Sequence, residues 1–406
     1  QNFNLSKFTN AQGLPQNYIY SLVQDNSGFV WVGMAEGLSR YDGLHFTNYT
    51  TRDSLSDNYI SKMIIDTDGY LWCGHGNGTF TYNNGRKFIK VPARDDMTAP
   101  IKDMCLDDRG NIWAVEQNMG IVKIDPEHKM TTFFDEDLFG SRMYTSICAV
   151  NSMVLLVGTT DGLLMVRVDT DGNLSAPEEI TDIPATTVTR IAPTRGGANY
   201  WICQDDGSIY RYSPTNGARL LSQCNRVCSG GHVATYDIRA IYEDESGNLY
   251  LGTWGDGVKE WERRPETDDY VEALTLNDEN GLGNNYVADI MVDREGIFWF
   301  ATYGAGVVAW INNYFAQYNM SDIGLVKAKV YSTCLDGERL WLGLNDGIIN
   351  MDTKCMSNFE FYDKSFGLPE KVDITSILFH RKSHTQYVGT RGRGIYVRHD
   401  GDMRYR

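Results

Sequence analysis

The sequence predicts an all-β fold assembled from repeated four-stranded sheets, and three observations carry that prediction. A segment reading apolar-x-x-apolar-apolar-x-Asp, a Gly turn, Trp-hydrophobic-Gly and a second Gly-bearing turn recurs nine times, anchored at Trp31, Trp72, Trp113, Leu156, Trp201, Tyr250, Trp299, Trp341 and Tyr387. Successive anchors lie 41 to 49 residues apart, and a period of that size built from short β-rich runs belongs to the blades of a β-propeller rather than to helical repeats. Composition agrees: 406 residues with 12% aromatics, 40 glycines and only 10 prolines suit many short strands joined by tight turns.

The first repeat shows each element. Ile19–Asp25 reads as a strand and Asn26-Ser27-Gly28 as a turn; Phe29–Gly33 is a second strand, Leu38–Asp42 a third and His45–Tyr49 a fourth. The strands are dense in β-branched and aromatic residues, as expected where neighbouring blades cover both faces. The anchor Trp is expected to fill the space between two blades, where its large area contributes most. Asp25 to Gly28, Asp66 to Gly69, Asp107 to Gly110 and Asp293 to Gly296 join first strands to second. In each, Asp caps the turn and Gly accepts a positive φ. Carboxylates spaced like Asp66/Asp68 or Asp169/Asp171 lack the distal Glu of a calcium loop, so hairpin turns are the stronger reading.

The fourth and fifth repeats are looser, with Asn151-Ser152-Met153 and Arg195-Gly196-Gly197 in place of the Asp-Gly turn. Nine repeats exceed the usual ring. The favoured division is a seven-bladed propeller over residues 1–318 and the first two blades of a second over 319–406, repeat nine looking like a cut in mid-blade. The rival is a single ring over 1–406, closed by the N-terminal segment Phe3–Phe8, which has the character of a fourth strand.

Hydrophobic content of 42% supplies a sizeable core, and the net charge of −16 argues against wrapping nucleic acid or lying on an anionic membrane. No run approaches the roughly 20 apolar residues of a membrane helix. The chain opens at Gln1 without an initiator Met, which reads as a processed or shortened product. Of eight cysteines, Cys73, Cys105, Cys148, Cys203 and Cys334 sit at strand positions that favour small buried groups and read as free core thiols. Cys224 and Cys228, with His232 beyond them, leave three readings open: a local disulfide, a loose metal site, or two unpaired loop thiols.

Three stretches are similar to a known family. Gly13-Leu14-Pro15-Gln16-Asn17 followed by Gln24-Asp25 and Gly28-Phe29-Val30-Trp31-Val32-Gly33, then Gly37 to Gly43, resembles the two-component regulator propeller repeat. It recurs at Ser54–Asn58 with Trp72-Cys73-Gly74, and at Gly281–Asn285 with Asp293 and Gly296–Trp299. The resemblance implies the periplasmic sensor region of a hybrid two-component system, of the kind gut Bacteroidetes use to detect glycan fragments. It implies a domain tethered to the inner membrane through downstream segments, with a signal peptide removed, controlling glycan-utilisation genes and carrying no kinase chemistry in this region. A homodimer in the intact receptor is expected, with no cofactor and no nucleic-acid contact by this region.

Geometry narrows the site. In a four-stranded meander the fourth-to-first and second-to-third connections emerge on one face and converge on the channel mouth. The second-to-third loops offer Glu36, His75, Glu116, Trp254, Asp256, Tyr303, Arg391 and Arg393. The fourth-to-first side offers Tyr18, Tyr59, Arg142, Tyr144, Tyr236, Arg239 and Tyr286, while Lys62, Asp103, Arg190 and Asp289 share one first-strand position at the channel. Aromatic faces stack on sugar rings, and Arg and carboxylates bind hydroxyls or acidic groups, so an oligosaccharide is the expected ligand. Trp254 and Tyr303, beside glycines in adjacent loops, are the strongest candidates. Tyr18, Tyr59 and Tyr286 each read more simply as seals between blades. A glycan-active hydrolase or lyase and a protein-interaction propeller are the alternatives. The chain has Asp-x-x-Gly-x-hydrophobic-Trp rather than the sialidase box Ser-x-Asp-x-Gly-x-x-Trp, and neither a nucleophile elbow nor a phosphate loop. Glu36 with Glu116 or Asp256 would be the carboxylate pair if the chain were a glycosidase.

Overall fold

Each repeat folds as antiparallel strands in sequence order, and where the Asp of the repeat is present it directly follows the first strand. The structure is a computed structural model. It describes residues 3–92, 98–133, 140–223, 225–227, 233–235, 237–311, 328–337, 339–352, 359–380 and 382–406. In blade 1 the strands are Ile19–Gln24, Val30–Met34, Gly37–Tyr41 and Phe46–Tyr49, within a residue of the sequence expectation. The first strands of blades 2 to 7 are Ile60–Ile65, Ile101–Leu106, Tyr144–Asn151, Val188–Pro193, Ile238–Glu243 and Val287–Val292. The chain divides into two compact units, Gln1–Tyr314 and Phe315–Arg406.

The first unit holds seven four-stranded sheets, one per repeat, and a two-stranded hairpin, Asn225–Val227 with Val233–Thr235. The seventh sheet is completed from the other end of the chain. Leu5–Phe8 pairs antiparallel with Val307–Ile311, matching Leu5 to Trp310 and Phe8 to Val307. The ring is therefore closed by main-chain hydrogen bonds between its two ends, which leaves neither a free edge. Phe8 stacks on Trp299 at 5.7 Å and meets Tyr41 at 5.0 Å, joining blade 7 to blade 1. The second unit holds one four-stranded sheet, Val330–Asp336 through Phe359–Tyr362, and one three-stranded sheet, Ile374–His380, Thr385–Thr390 and Gly394–His399.

The Asp of the repeat does more than cap a turn. Asp25 accepts the Ser27 and Phe29 N–H groups on Oδ1, and its Oδ2 accepts the indole Nε1–H of Trp31 at 2.7 Å. The same bond joins Asp66 to Trp72, Asp107 to Trp113 and Asp293 to Trp299, at 2.7 to 2.9 Å. A buried indole N–H is costly without an acceptor, so one carboxylate fixes both the hairpin and the inter-blade wedge. Each wedge does lie between blades: Trp31 packs with Leu38 of its own blade and Ile60 and Met63 of the next. In blade 5, which lacks the Asp, Trp201 donates instead to Glu243 of blade 6 at 2.9 Å. Of the five cysteines read as core thiols, Cys73, Cys148 and Cys203 are buried, and Cys73, Cys105, Cys148 and Cys334 are free thiols.

Every first strand also carries an irregularity at one place, a bulge one residue after the strand enters. In ring order the bulged residues are Tyr20, Ser61, Lys102, Thr145, Thr189, Arg239 and Ala288. A bulge re-aims one side chain and sharpens the twist, and here it does so at the same end of every blade.

Candidate functional site

The residue after each bulge forms an inner girdle. Ser21 accepts the Met63 N–H of blade 2, Asp103 the Ile147 N–H of blade 4, Ser146 the Ile191 N–H of blade 5 and Asp289 the Leu22 N–H of blade 1, at 3.0 to 3.1 Å. The last of these joins blade 7 to blade 1 a second time. Asp103 is the hub: it takes Arg190 at 2.9 Å, Lys62 at 3.6 Å and the Ser146 hydroxyl at 2.6 Å. Burial alone would push its carboxyl up, but Arg190 and then Lys62 outweigh that and hold it below the usual range. Lys62 and Arg190 both pair with Asp103 while Asp289 holds the Leu22 N–H, so these four residues brace the channel.

Above the girdle the mouth is aromatic. Ring centroids run from Tyr59 to Tyr20 at 5.0 Å, Tyr20 to Tyr303 at 5.8 Å, Tyr303 to Tyr18 at 4.8 Å and to Trp254 at 5.2 Å, and Trp254 to Tyr286 at 5.3 Å. Six rings from blades 2, 1, 7 and 6 thus form one continuous surface. Burial and then Tyr59 raise the Tyr20 hydroxyl well above its ordinary value, so it stays a neutral hydrogen-bond donor. Arg239 lies over the Trp254 ring at 5.2 Å and pairs with Asp237 at 2.5 Å.

The repeat's Leu-x-x-Asn-Tyr motif builds this surface. Leu14, Leu55 and Leu282 are buried, anchoring the connections that lead into blades 1, 2 and 7. Asn17, Asn58 and Asn285 cap the same connections, accepting the N–H of Asn10, Thr51 and Asp278. The Asn17 carbonyl takes the Gly304 and Gly306 N–H groups, and the Asn285 carbonyl those of Gly255 and Gly257, tying each loop to the next blade. Tyr18, Tyr59 and Tyr286 follow directly. Tyr18 and Tyr286 seal the ring through backbone bridges to Tyr303 and Trp254, yet remain 47% and 44% exposed. Sealing and presentation are therefore combined in one residue.

The sequence-predicted residues divide accordingly. Trp254, Tyr303 and Arg239 come together at the mouth, and Glu36 is exposed on its rim. Four others are buried and serve the fold. His75 bonds Thr81 through Nε2 at 2.8 Å, and burial depresses it to about 4, leaving a neutral ring. Glu116 accepts the Thr98 and Ala99 N–H groups at 3.0 and 2.7 Å and so fixes the connection into blade 3. Asp256 pairs with buried Lys259 at 2.8 Å. Tyr144 is a core residue whose hydroxyl burial raises to about 12. A Glu36 pairing with Glu116 or Asp256 across a sugar is accordingly ruled out by the burial of both partners. Arg142 is held by Glu179 at 2.6 Å, and Arg190 lies one level down on Asp103. Tyr236, with Cys224, Cys228 and His232, lies outside the described residues. In the second unit Arg391 pairs with Asp373 at 3.1 Å and Arg393 is exposed. Sequence reasoning missed Tyr20; aligning the column that precedes Lys62, Asp103 and Arg190 would have found it.

No group of three or more His, Cys, Asp or Glu side chains suited to a metal occurs among the described residues, and no helix there is long and apolar enough to cross a membrane.

The two-component regulator propeller model matches residues 13–36, 233–255 and 281–304, so the chain carries repeats of that type. The matched segments contain Tyr18, Tyr20, Arg239, Trp254, Tyr286 and Tyr303. No curated protein sequence matches the chain. Among solved structures it is similar to the extracellular domain of a B. thetaiotaomicron protein assigned as a hybrid two-component system, with 18% identity, a TM-score of 0.62, and 97% of this chain covering 59% of that one. A second such domain from the same organism gives 20% identity and a TM-score of 0.60 over 100% of this chain and 53% of that one. The chain thus spans little more than half of these relatives. Virginiamycin B lyase from Staphylococcus aureus shows 16% identity and a TM-score of 0.59 over 76% of this chain and 100% of its own. At such identities the likeness establishes the propeller fold.

Proposed function

We propose that this chain is part of the extracytoplasmic sensing region of a two-component receptor, and that it binds an oligosaccharide at the mouth of the seven-bladed ring. One observation carries the reading: six aromatic rings from four blades form a continuous, partly exposed surface beside an arginine. Sugar rings present flat C–H faces that stack on such surfaces, while their hydroxyls reach Arg and Tyr donors. The regulator-propeller repeats supply the receptor context, and the B. thetaiotaomicron domains the extracytoplasmic one. In the intact protein the region is tethered to the inner membrane, acts as a homodimer and controls genes of glycan use. Binding signals only if the ligand favours one arrangement of the receptor over another.

The reading is of a binding domain, not an enzyme. The lyase neighbours share the propeller fold at 16% identity, and that likeness carries no catalytic group over to this chain. A thermal-shift screen of the full chain against neutral, acidic and sulfated oligosaccharides tests the proposal. A selective rise in Tm supports it. No shift across the panel sinks it in favour of a protein partner, and hydrolysis or elimination products would sink the non-enzyme reading.

A further inference from the structure

Each anchor has a cross-strand partner on the third strand of its blade, and directly opposed residues share one face of a sheet. In blades 1, 3 and 5 the partner is a cation: Arg40 opposes Trp31, Lys123 opposes Trp113 and Arg211 opposes Trp201. In blades 2, 4 and 6 it is a Tyr, a Met and a Glu. In blade 7 it is Ala309, opposite Trp299. Two of the cations lie on rings. The Arg40 guanidinium is 4.5 Å from the Phe29 ring centre and 5.9 Å from that of Trp31, and the Lys123 ammonium is 5.5 Å from that of Trp113.

Comparing two successive blade gaps shows what the small residue does. Between blades 1 and 2, Asp25, Phe29, Trp31 and Arg40 border a cleft of about 140 Å³. Between blades 7 and 1 the equivalent positions, Asp293, Ile297, Trp299 and Ala309, border one of about 430 Å³. Phe8 of the closing strand and Tyr41 of blade 1 also line this larger cleft, with ring centres 5.7 and 5.8 Å from that of Trp299. Its lining includes three carboxylates, on Asp42, Asp293 and Glu295, and no Lys or Arg among the described residues. Asp293 is committed to the Trp299 indole. Asp42 and Glu295 are exposed, and among the described residues neither forms an ion pair. The nearby Arg294 guanidinium donates to the Asp25 and Asn26 carbonyls. The rings and acids that attract a cation are thus in place, and the side chain that supplies one in blade 1 is absent.

We infer that the cleft between blades 7 and 1 binds a small organic monocation, a guanidinium or ammonium on a short alkyl body, in the place that Arg40 fills one gap further round. Its charge lies against the Phe8, Tyr41 and Trp299 rings with Glu295 and Asp42 beside it, and its alkyl part covers Ile297 and Ala309. The cleft sits at the Asp-Gly-turn end of the blades and the aromatic mouth at the opposite end. It is therefore a second site, and it does not depend on the saccharide reading. The ligand touches blade 7, blade 1 and the closing strand, so its binding favours the closed ring.

The test is an NMR titration of the full chain with propylguanidinium beside neutral propylurea, and with butylammonium beside N-butylacetamide. The cation of a pair should bind about tenfold more tightly than its neutral counterpart and raise Tm, and salt should weaken it. A preference in either pair supports the inference and names the head group. Ala309→Arg, which supplies the guanidinium covalently as blade 1 does, should abolish cation binding and raise Tm. Should arginine not be accepted there, Glu295→Gln decides: at this exposed position it should weaken the cation about threefold and leave the neutral counterpart's affinity and Tm unchanged. Equal affinity within both pairs, no binding by either cation, full-strength binding to a folded Ala309→Arg variant, or a Glu295→Gln variant that binds like the parent overturns the inference.

Discussion

Replacing Asp293 tests whether one carboxylate welds the hairpin to the inter-blade wedge. Its Oδ1 accepts the Glu295 and Ile297 N–H groups at 3.0 and 2.8 Å, and its Oδ2 the Trp299 indole N–H at 2.7 Å in a buried setting. Trp299 in turn stacks on Phe8 of the closing strand. Asp293→Ala strands a buried indole donor, at about 1–3 kcal/mol, and removes two turn bonds that water replaces only in part, so the sum is about 3 kcal/mol. For a cooperative unit of the size of Gln1–Tyr314, an unfolding entropy of about 2 cal/mol/K per residue converts this to a Tm lower by roughly 5 °C.

Asp293→Asn separates this account from a simple turn preference, because Asn is isosteric and a good turn residue. Its amide has one oxygen and one donor, so either the indole or the two turn amides must face an N–H. Asn should therefore fall within about 1 kcal/mol of Ala. A double-mutant cycle of Asp293→Asn with Trp299→Phe, followed by urea unfolding of the full chain, isolates the pair and should give a coupling of about 1.5–2.5 kcal/mol. An Asn variant as stable as the parent, or additive single effects, would refute the weld and leave Asp293 as a turn former only.

Three further outcomes follow from the same structure. Trp254→Ala and Tyr303→Ala should each weaken saccharide binding about tenfold or more, equivalent to about 1.4 kcal/mol, as read by titration of the folded variants; unchanged affinity in both places the site elsewhere. His75 is neutral in the fold with its value depressed to about 4, against about 6.5 when unfolded. Its contribution is therefore present above pH 6.5 and is lost as pH falls towards 4, to a limit of about 3 kcal/mol. His75→Gln should flatten that part of the stability profile relative to the parent, and an identical acid slope would contradict it. Gly306 has φ of +76°, and a Cβ there would lie 2.1 Å from the Phe8 carbonyl of the closing strand. Gly306→Ala should thus expose the N-terminal strand to limited proteolysis, an effect that alanine at open Gly296 should lack.

The fold was legible because its signals are periodic and local. The Asp-x-x-Gly turn and the Trp six residues after the Asp repeat in register, and alternation within strands set the faces. Even blades 4 and 5, without the turn, are carried by their neighbours and fold as four-stranded sheets. The site was half legible. Loop topology placed Trp254, Tyr303 and Arg239 on the right face, but it could not distinguish a loop residue that points out from one that points in. His75, Glu116 and Asp256 end or follow second strands beside Trp254-like positions, yet each turns inward, to the Thr81 hydroxyl, the Ala99 N–H and the Lys259 ammonium respectively. The bulges were invisible for a related reason: one extra residue breaks the period of two on which strand faces are read, so Tyr20 fell between columns.

The placement of the aromatic surface connects binding to the integrity of the ring. Its centre, Tyr303 with Tyr18 and Tyr20, straddles the seam between blades 7 and 1. That seam is held by the strand Leu5–Phe8, by the Asp289 bond to the Leu22 N–H and by the Asn17 carbonyl on Gly304 and Gly306. The segment from Leu5 to Leu22 runs through all three, beginning as the closing strand and passing through Tyr18 and Tyr20 of the mouth. A ligand stacked on Tyr303 and Tyr18 touches both sides of the seam and binds only while it is closed. By mass action, ligand at 100 times its Kd then stabilises the closed ring by about 2.7 kcal/mol. Hydrogen exchange makes this separable from general stabilisation. Saturating ligand should slow exchange at Leu5–Phe8 and Val307–Ile311, the paired strands of blade 7, more than at the equivalent outer strands of blade 4, Gly162–Arg167 with Glu178–Glu179. Uniform protection around the ring would separate the mouth from the seam.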